Sequence, residues 1–127
     1  MGLSGKKAVV FGGTSGIGLA AALLLAKNGV EVTAVSRKPD KAGILPSGVS
    51  LRACDVLDGS AVETLFNDLS PIDILVTAAT GGKRAIGPFL EMDIDGYKGS
   101  FDKLWGYANV VRYGAQHVKD GGSITLV

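Results

Sequence analysis

The sequence predicts an α/β fold built on a doubly wound parallel sheet of five strands. Short, nearly continuous apolar runs alternate with longer stretches in which apolar residues recur every three or four positions. This alternation is typical of strands and helices in βαβ units. A glycine-rich turn also joins the first apolar run to the first helix. With right-handed crossovers, such a chain orders its strands 3-2-1-4-5.

Composition is that of a globular protein. The chain has 127 residues, of which 46% are hydrophobic and 20% charged, so we expect a single domain over residues 1–127. A net charge of +1 gives no general attraction for nucleic acid or membranes. The single cysteine, Cys54, cannot form an internal disulfide, which indicates a cytoplasmic protein. The sequence shows no apolar run long enough to span a bilayer and no Cys/His cluster typical of a metal site.

The first strand and its turn are the most informative stretch. Residues 7–11 form a β-branched apolar run that stops at Gly12-Gly13, and Gly16 and Gly18 open the next helix. Glycines allow a sharp turn and let a diphosphate approach the backbone, and the free N–H groups of a helix start favour its negative charge. The lysine of a P-loop is missing. The alternative is a purely structural glycine turn in another α/β protein.

The remaining elements follow in order. The first helix ends at Asn28-Gly29, and strands are predicted over residues 30–35, 49–54, 72–76 and 123–127. Residues 39–47 form a short helix or loop, Ser60 and Glu63 match a capping box, and residues 98–119 form a long helix. Each predicted helix has one apolar face that is expected to be buried. These faces are, in the first helix, Ile17, Ala20, Ala21, Leu24 and Leu25; in the helix that the capping box opens, Val62, Leu65, Phe66 and Leu69; and in the long helix, Phe101, Leu104, Trp105, Ala108, Val111, Ala115 and Val118.

Basic residues follow the second strand. Ser36, Arg37 and Lys38 lie at the corner that, in a dinucleotide fold, borders the adenosine ribose. An acidic residue there would bond both ribose hydroxyls of NAD and repel a 2′-phosphate, whereas Arg37 can form a forked pair with that phosphate. The sequence therefore favours NADP(H) over NAD(H). The alternative is that both cations are solvated loop charges.

The spacing Gly12-x-x-x-Gly16-x-Gly18 resembles the cofactor loop of the classical short-chain dehydrogenase/reductase family, with Phe11 where that family usually has threonine. The resemblance covers essentially the whole chain, but only the N-terminal, cofactor-binding half of the family's fold. It implies a Rossmann-type fold, truncated after strand five. It also implies an NADP-dependent oxidoreductase that transfers a hydride between nicotinamide and a carbonyl or alcohol group of a small molecule.

The resemblance also implies roles for single residues. Asp55 and Val56 would hold the adenine, although Asp55 could instead be a turn-forming carboxylate. Residues 77–80 stand where the family usually has Asn-Asn-Ala-Gly. The loop of residues 81–96 would border the substrate cleft, or it is a surface excursion. Lys103 takes the position of the family's active-site asparagine, or it is an exposed lysine. The cofactor-binding residues expected are Gly12, Thr14, Ser15, Gly16, Ile17, Gly18, Ser36, Arg37, Lys38, Asp55, Val56, Ala78, Ala79 and Thr80.

The family's catalytic serine and Tyr-x-x-x-Lys pair are not found. Tyr97, Tyr107 and Tyr113 are followed four residues later by Phe, Val and His. We expect a truncated piece of a longer reductase, inactive alone, because an unprotected fifth strand makes a poor terminus. That edge is expected to pair with another copy in a homo-oligomer. The alternatives are a non-enzymatic nucleotide-binding or regulatory module, and a flavodoxin-like or receiver domain, which would need an acidic cluster after strand one.

Overall fold

The computed structural model describes residues 2–80 and 85–127. Within them the elements run in the order β1 (Lys7–Phe11), α1 (Gly16–Lys27), β2 (Glu31–Ser36), a 3₁₀ turn (Pro39–Ala42), β3 (Val49–Ala53), α2 (Gly59–Leu69), β4 (Ile72–Thr77), a 3₁₀ turn (Phe89–Glu91), α3 (Ile94–Gly99), α4 (Asp102–Gly114), a 3₁₀ turn (Ala115–His117) and β5 (Val118–Leu126).

The sheet confirms the predicted strand order. Its strands lie in the order β3-β2-β1-β4-β5, and every neighbouring pair is parallel. The predicted bounds of the first four strands agree with the structure to within one residue at each end. Because β1 is central and covered on both faces, it reads as a continuous apolar run rather than an alternating one.

Helices cover both faces of the sheet, and β1 contributes to both cores. Val9 and Phe11 point towards α2 and α4, where they join a cluster that includes Leu65, Phe66 and Val110. Their neighbours on the strand point to the opposite face, because successive side chains alternate in direction. That second cluster, under α1, comprises Ala8, Val10, Ala22, Val30 and Val32.

The predicted buried face of α1 is wrong except at Leu25, which is partly buried against the second cluster. Ile17 and Leu24 are 67% and 62% exposed, and the buried positions of the helix are Gly18 and Ala22. The helix is apolar on nearly all sides, so its periodicity does not single out the side that meets the sheet. Besides Leu25, contact with the sheet is made through small residues, which let the two backbones approach closely.

The predicted helix over residues 98–119 is also corrected. The structure has two helices there, α3 and α4, and the predicted apolar face is largely exposed, with Trp105 at 67%. The buried side of α4 carries Gly106, Val110 and Gly114. A Cβ atom on Gly114 would overlap the ring of Phe66, so the contact between α4 and Phe66 requires a residue without a side chain at this position. An apolar pattern that counts only large residues misses such a face.

Helix α2 begins two residues earlier than its predicted capping box. Asp58, not Ser60, is the N-cap: its carboxylate accepts from the Ala61 N–H at 3.1 Å and from the Ser60 hydroxyl at 2.8 Å. The hydrogen bond from Ala61, with that from Ser60, holds the pKa of Asp58 below its usual range. The predicted buried side of α2 is confirmed for Val62, Leu65 and Phe66.

Strand β5 is longer than predicted. It begins at Val118 rather than at Ser123, so it includes residues 118–119 of the predicted helix and residues 120–122, which were expected to precede the strand. They fit because the pairing with β4 shifts register between Ile72 and Ile74. The predicted loop of residues 81–96 contains a 3₁₀ turn and the start of α3, while Lys83 and Arg84 lie outside the described residues.

Candidate functional site

A cleft of about 410 Å³ lies where the carboxyl ends of β1, β2 and β4 meet. This is the edge of an open α/β sheet at which ligands bind. The first half of its lining comes from the β1–α1 turn and the end of β2: Phe11, Gly12, Thr14, Ser15, Gly16, Ile17, Gly18, Val35, Ser36 and Arg37. The second half comes from later segments: Cys54, Val56, Ala78, Ala79, Thr80, Lys103 and Val127.

Two glycines shape the floor of this cleft. Gly12 has φ +72°, and a Cβ atom on it would lie 2.7 Å from the carbonyl carbon of Ala78. A Cβ atom on Gly18 would overlap the carbonyl oxygen of Gly12, so the start of α1 packs directly onto the turn. The Gly12 N–H donates to the Val35 carbonyl at 2.8 Å, which ties the turn to β2. The result is a concave backbone surface at a helix N-terminus, a geometry suited to a phosphate.

A second cavity of about 470 Å³ adjoins the first and shares Thr14, Ser15, Ser36 and Arg37 with it. Lys38 and Lys41 complete its lining. The Lys38 N–H donates to the Ser36 hydroxyl oxygen at 3.2 Å, which fixes the corner after β2. Lys41 was not predicted to be part of the site, because residues 39–47 were expected only to form a short helix or loop. Its place depends on the 3₁₀ turn Pro39–Ala42, which the sequence does not specify.

Asp55 lies beside the cleft rather than in its lining. Its carboxylate accepts the Leu57 N–H at 3.0 Å, the turn-forming arrangement considered as the alternative from the sequence. The adjacent residues Cys54 and Val56 do line the cleft. Burial, helped by the nearby carboxylates of Asp55 and Asp58, raises the pKa of the Cys54 thiol to about 11. Cys54 is therefore an uncharged thiol at neutral pH and a weak nucleophile.

The end of β4 and helix α4 form the far wall. The Ala78 N–H donates to the Phe11 carbonyl at 2.9 Å, which carries Ala79 and Thr80 into the cleft lining. Lys103 enters the cleft from α4, and its ammonium lies 5.5 Å from the ring centroid of Tyr107. The Tyr107 hydroxyl is buried without a hydrogen-bond partner among the described residues.

Three further features of the described residues concern His117, metal binding and membrane spans. His117 stacks on Phe66 with ring centroids 5.9 Å apart, so it packs against the core. Among residues 2–80 and 85–127, no group of His, Cys, Asp and Glu is arranged to hold a metal ion. No helix in those ranges combines the length and the apolar character that crossing a bilayer requires.

Comparison with known proteins identifies similar sequences and folds. The family model described as short chain dehydrogenase matches residues 6–127. L-xylulose reductase of Mesocricetus auratus is 34% identical over 105 residues, which cover 80% of this chain and 42% of the relative. Glycine betaine reductase ATRR of Emericella nidulans is 43% identical over 88 residues, covering 61% of this chain and 7% of that protein.

Solved structures give the same picture. A structure described as a short chain dehydrogenase/reductase family protein superposes with a TM-score of 0.81 at 31% identity, covering 99% of this chain and 56% of its own. A small-chain dehydrogenase in complex with NADPH superposes with a TM-score of 0.75 at 32% identity, covering 95% and 49% of the two chains. This chain thus spans about half the length of these two solved proteins and 42% of L-xylulose reductase.

Proposed function

The chain belongs to the short-chain dehydrogenase/reductase family, and on that premise we propose that it is the NADP(H)-binding part of an oxidoreductase. The parent activity would transfer a hydride between nicotinamide and a carbonyl or alcohol group of a small molecule. The observation that carries the proposal is the concave backbone turn at Gly12 and Gly18, which adjoins a cavity lined by cations.

The backbone of the β1–α1 turn would hold the diphosphate. Gly12 and Gly18 leave the space that side chains would fill, and the N-terminus of α1 places its free N–H groups and positive dipole end there. Ser15 is the N-cap residue, and its side chain makes no capping hydrogen bond. Its hydroxyl is therefore available to a phosphate oxygen.

The two ends of the cofactor would then lie along the sheet edge. Val56 offers an apolar wall for the adenine, with Asp55 beside it, and Ala78, Ala79 and Thr80 offer a small-residue wall for the nicotinamide ribose. When bound, the cofactor supplies the hydride. We propose that Lys103 places its ammonium at that nicotinamide end and holds a proton for exchange with the substrate oxygen through water.

Preference for NADP(H) is supported by the charge of the second cavity. Its cations are Arg37, Lys38 and Lys41, and among the described residues that line it there is no carboxylate. A ribose 2′-phosphate is a dianion at neutral pH, which a guanidinium binds with two parallel hydrogen bonds. The structural relative that was solved with NADPH supports the same preference.

Titration of the 127-residue chain with NADPH and NADH tests the proposal. We expect NADPH to bind the more tightly and to raise the melting temperature, since a ligand at 100 times its Kd stabilises a protein by about 2.7 kcal/mol. Amide shifts measured by NMR should concentrate in residues 12–18 and 36–38. If neither nucleotide raises the melting temperature or moves an amide, the proposal is wrong.

We further propose that this chain binds nucleotide without catalytic turnover by itself. None of its three tyrosines is followed four residues later by lysine, the pair that resemblance to the family calls for. With a small ketone present, we expect NADPH to be oxidised no faster with the purified chain than without protein. Ketone-dependent oxidation by the purified chain, lost on substitution of Lys103, would show that this chain is an enzyme on its own.

The exposed edge of β5 supports a homo-oligomer. Residues 119–126 of this strand are exposed, and within the described residues its outer edge pairs with no other strand. We propose that two copies pair along it. Sedimentation velocity should show a dimer whose fraction rises with concentration. Proline in place of Ile124, whose N–H faces away from β4, should shift the equilibrium to monomer. A monomer at all concentrations would contradict this proposal.

We also propose that residues 1–127 act as one nucleotide-binding domain in the cytoplasm. Strand β1 contributes side chains to the cores on both faces of the sheet, which couples the two layers. Cys54 is a buried free thiol, which suits a reducing compartment.

A further inference from the structure

Lys41 is the cation of the second cavity that the sequence analysis did not assign. It lies on the 3₁₀ turn Pro39–Ala42, beyond the corner at which basic residues are expected in a dinucleotide fold. The turn brings it back, because the Lys41 N–H donates to the Lys38 carbonyl at 3.2 Å. The side chain of Lys41 thereby joins Arg37 and Lys38 in lining one cavity.

Within residues 2–80 and 85–127, no carboxylate forms an ion pair with a cation of this cavity. The ion pairs found among the described residues are Arg52–Asp68 and Lys119–Asp73, and neither involves a cation of the cavity. Asp40, next to Lys41 on the same turn, is exposed and does not line the cavity. Holding three cations around one space without a counter-ion costs free energy through mutual repulsion. Binding of a dianion would relieve that repulsion.

The hydroxyl groups of the cavity indicate the chemistry of that dianion. Thr14, Ser15 and Ser36 line it beside the cations, and all three also line the main cleft. A ligand that fills both spaces therefore carries one phosphate group on the backbone turn and another anionic group towards Lys41. NADP(H) has this arrangement, since its 2′-phosphate is separate from its diphosphate.

We propose that Lys41 is a specificity-determining residue that selects NADP(H) over NAD(H) by contacting the 2′-phosphate; this inference rests on the proposed function. Arg37 supplies the forked hydrogen bonds, and Lys41 supplies a point charge from the 3₁₀ turn. The energetic effect of Lys41 is purely on the phosphate, so it should be absent for a nucleotide without that group.

The test uses Lys41→Gln with NADPH and NADH, which differ only in the 2′-phosphate. Calorimetric titration should show NADPH affinity about fivefold lower and NADH affinity unchanged, the size expected of one solvent-exposed ion pair. Lys27→Gln, an exposed lysine in the last turn of α1 that lines neither cavity, is the matched control and should change neither affinity. Lys41→Arg should restore the preference.

Each result decides between the inference and its premise. Equal loss of affinity for both nucleotides, or no loss for either, overturns the role of Lys41 while the proposed function stands. Failure of the unsubstituted chain to bind either nucleotide overturns both. The fivefold difference should also shrink at high salt, because an exposed ion pair is screened.

Discussion

Gly18→Ala should reduce NADPH affinity about 100-fold and lower the free energy of unfolding by about 3 kcal/mol. A methyl group on Gly18 would overlap the carbonyl oxygen of Gly12 and would lie 3.2 Å from the Gly13 nitrogen. Both neighbours are backbone atoms, so no side-chain rotation relieves the overlap. The turn must move away from α1, which opens the surface proposed to hold the diphosphate. Calorimetric titration and thermal unfolding measure the two effects.

Two further glycine variants separate loss of the site from loss of the fold. Gly16→Ala, in the same turn, has φ +53° and open space around its Cβ atom, so it should fold and bind NADPH about tenfold more weakly. Gly121→Ala, in β5, has φ +79° and equally open space. Gly121→Ala should lower the free energy of unfolding about as much as Gly16→Ala does, without changing the affinity for NADPH. NADPH affinity lost equally in all three variants would contradict a role for the turn in phosphate binding.

Arg37→Asp should reverse the nucleotide preference. Removal of the guanidinium costs the 2′-phosphate its forked hydrogen bonds, and the new carboxylate repels it, so NADPH affinity should fall about 10- to 100-fold. NADH affinity should rise, because the carboxylate can accept from the ribose hydroxyls. The ratio of the two dissociation constants, measured by titration at one salt concentration, is the quantity to compare.

Arg112→Asp is the control for this charge change. Arg112 is exposed in the last turn of α4 and lines neither cavity, so its reversal alters the net charge equally and should leave the ratio unchanged. Unaltered NADPH binding in Arg37→Asp would show that Arg37 is a solvated loop charge. A loss shared equally by both nucleotides would place its effect on the fold or on the diphosphate.

The first four strands and the buried side of α2 were predictable from sequence, whereas the packing of α1 and α4 was not. A buried parallel strand such as β1 leaves a continuous apolar run, which few other structures produce. Helix α1 is apolar all round and α4 contacts the core through Gly106 and Gly114, so counting large apolar residues selected exposed faces in both. The N-cap of α2 was missed because Asp58 competes with Ser60 for the same role.

The position of the candidate site was also predictable, because parallel strands end at one edge and glycine turns are visible in sequence. Residues far apart in the chain, such as Gly12, Arg37 and Ala79, line one cleft as the strand order requires. Lys41 was missed because its place depends on a turn that reverses direction after Pro39. The carboxylate of Asp55 was assigned to a ligand, but the structure shows one of its oxygens bound by the local turn.

The missing side chain at Gly114 has a mechanical consequence for the far end of its helix. Gly114 sets how closely α4 sits on Phe66, and Lys103 lies near the start of the same rod, roughly 16 Å away along the axis. A helix of this length moves as a rigid body. A larger side chain at Gly114 would therefore tilt α4 and displace Lys103. A substitution in the core would in this way change the position of an ammonium group in the lining of the cleft.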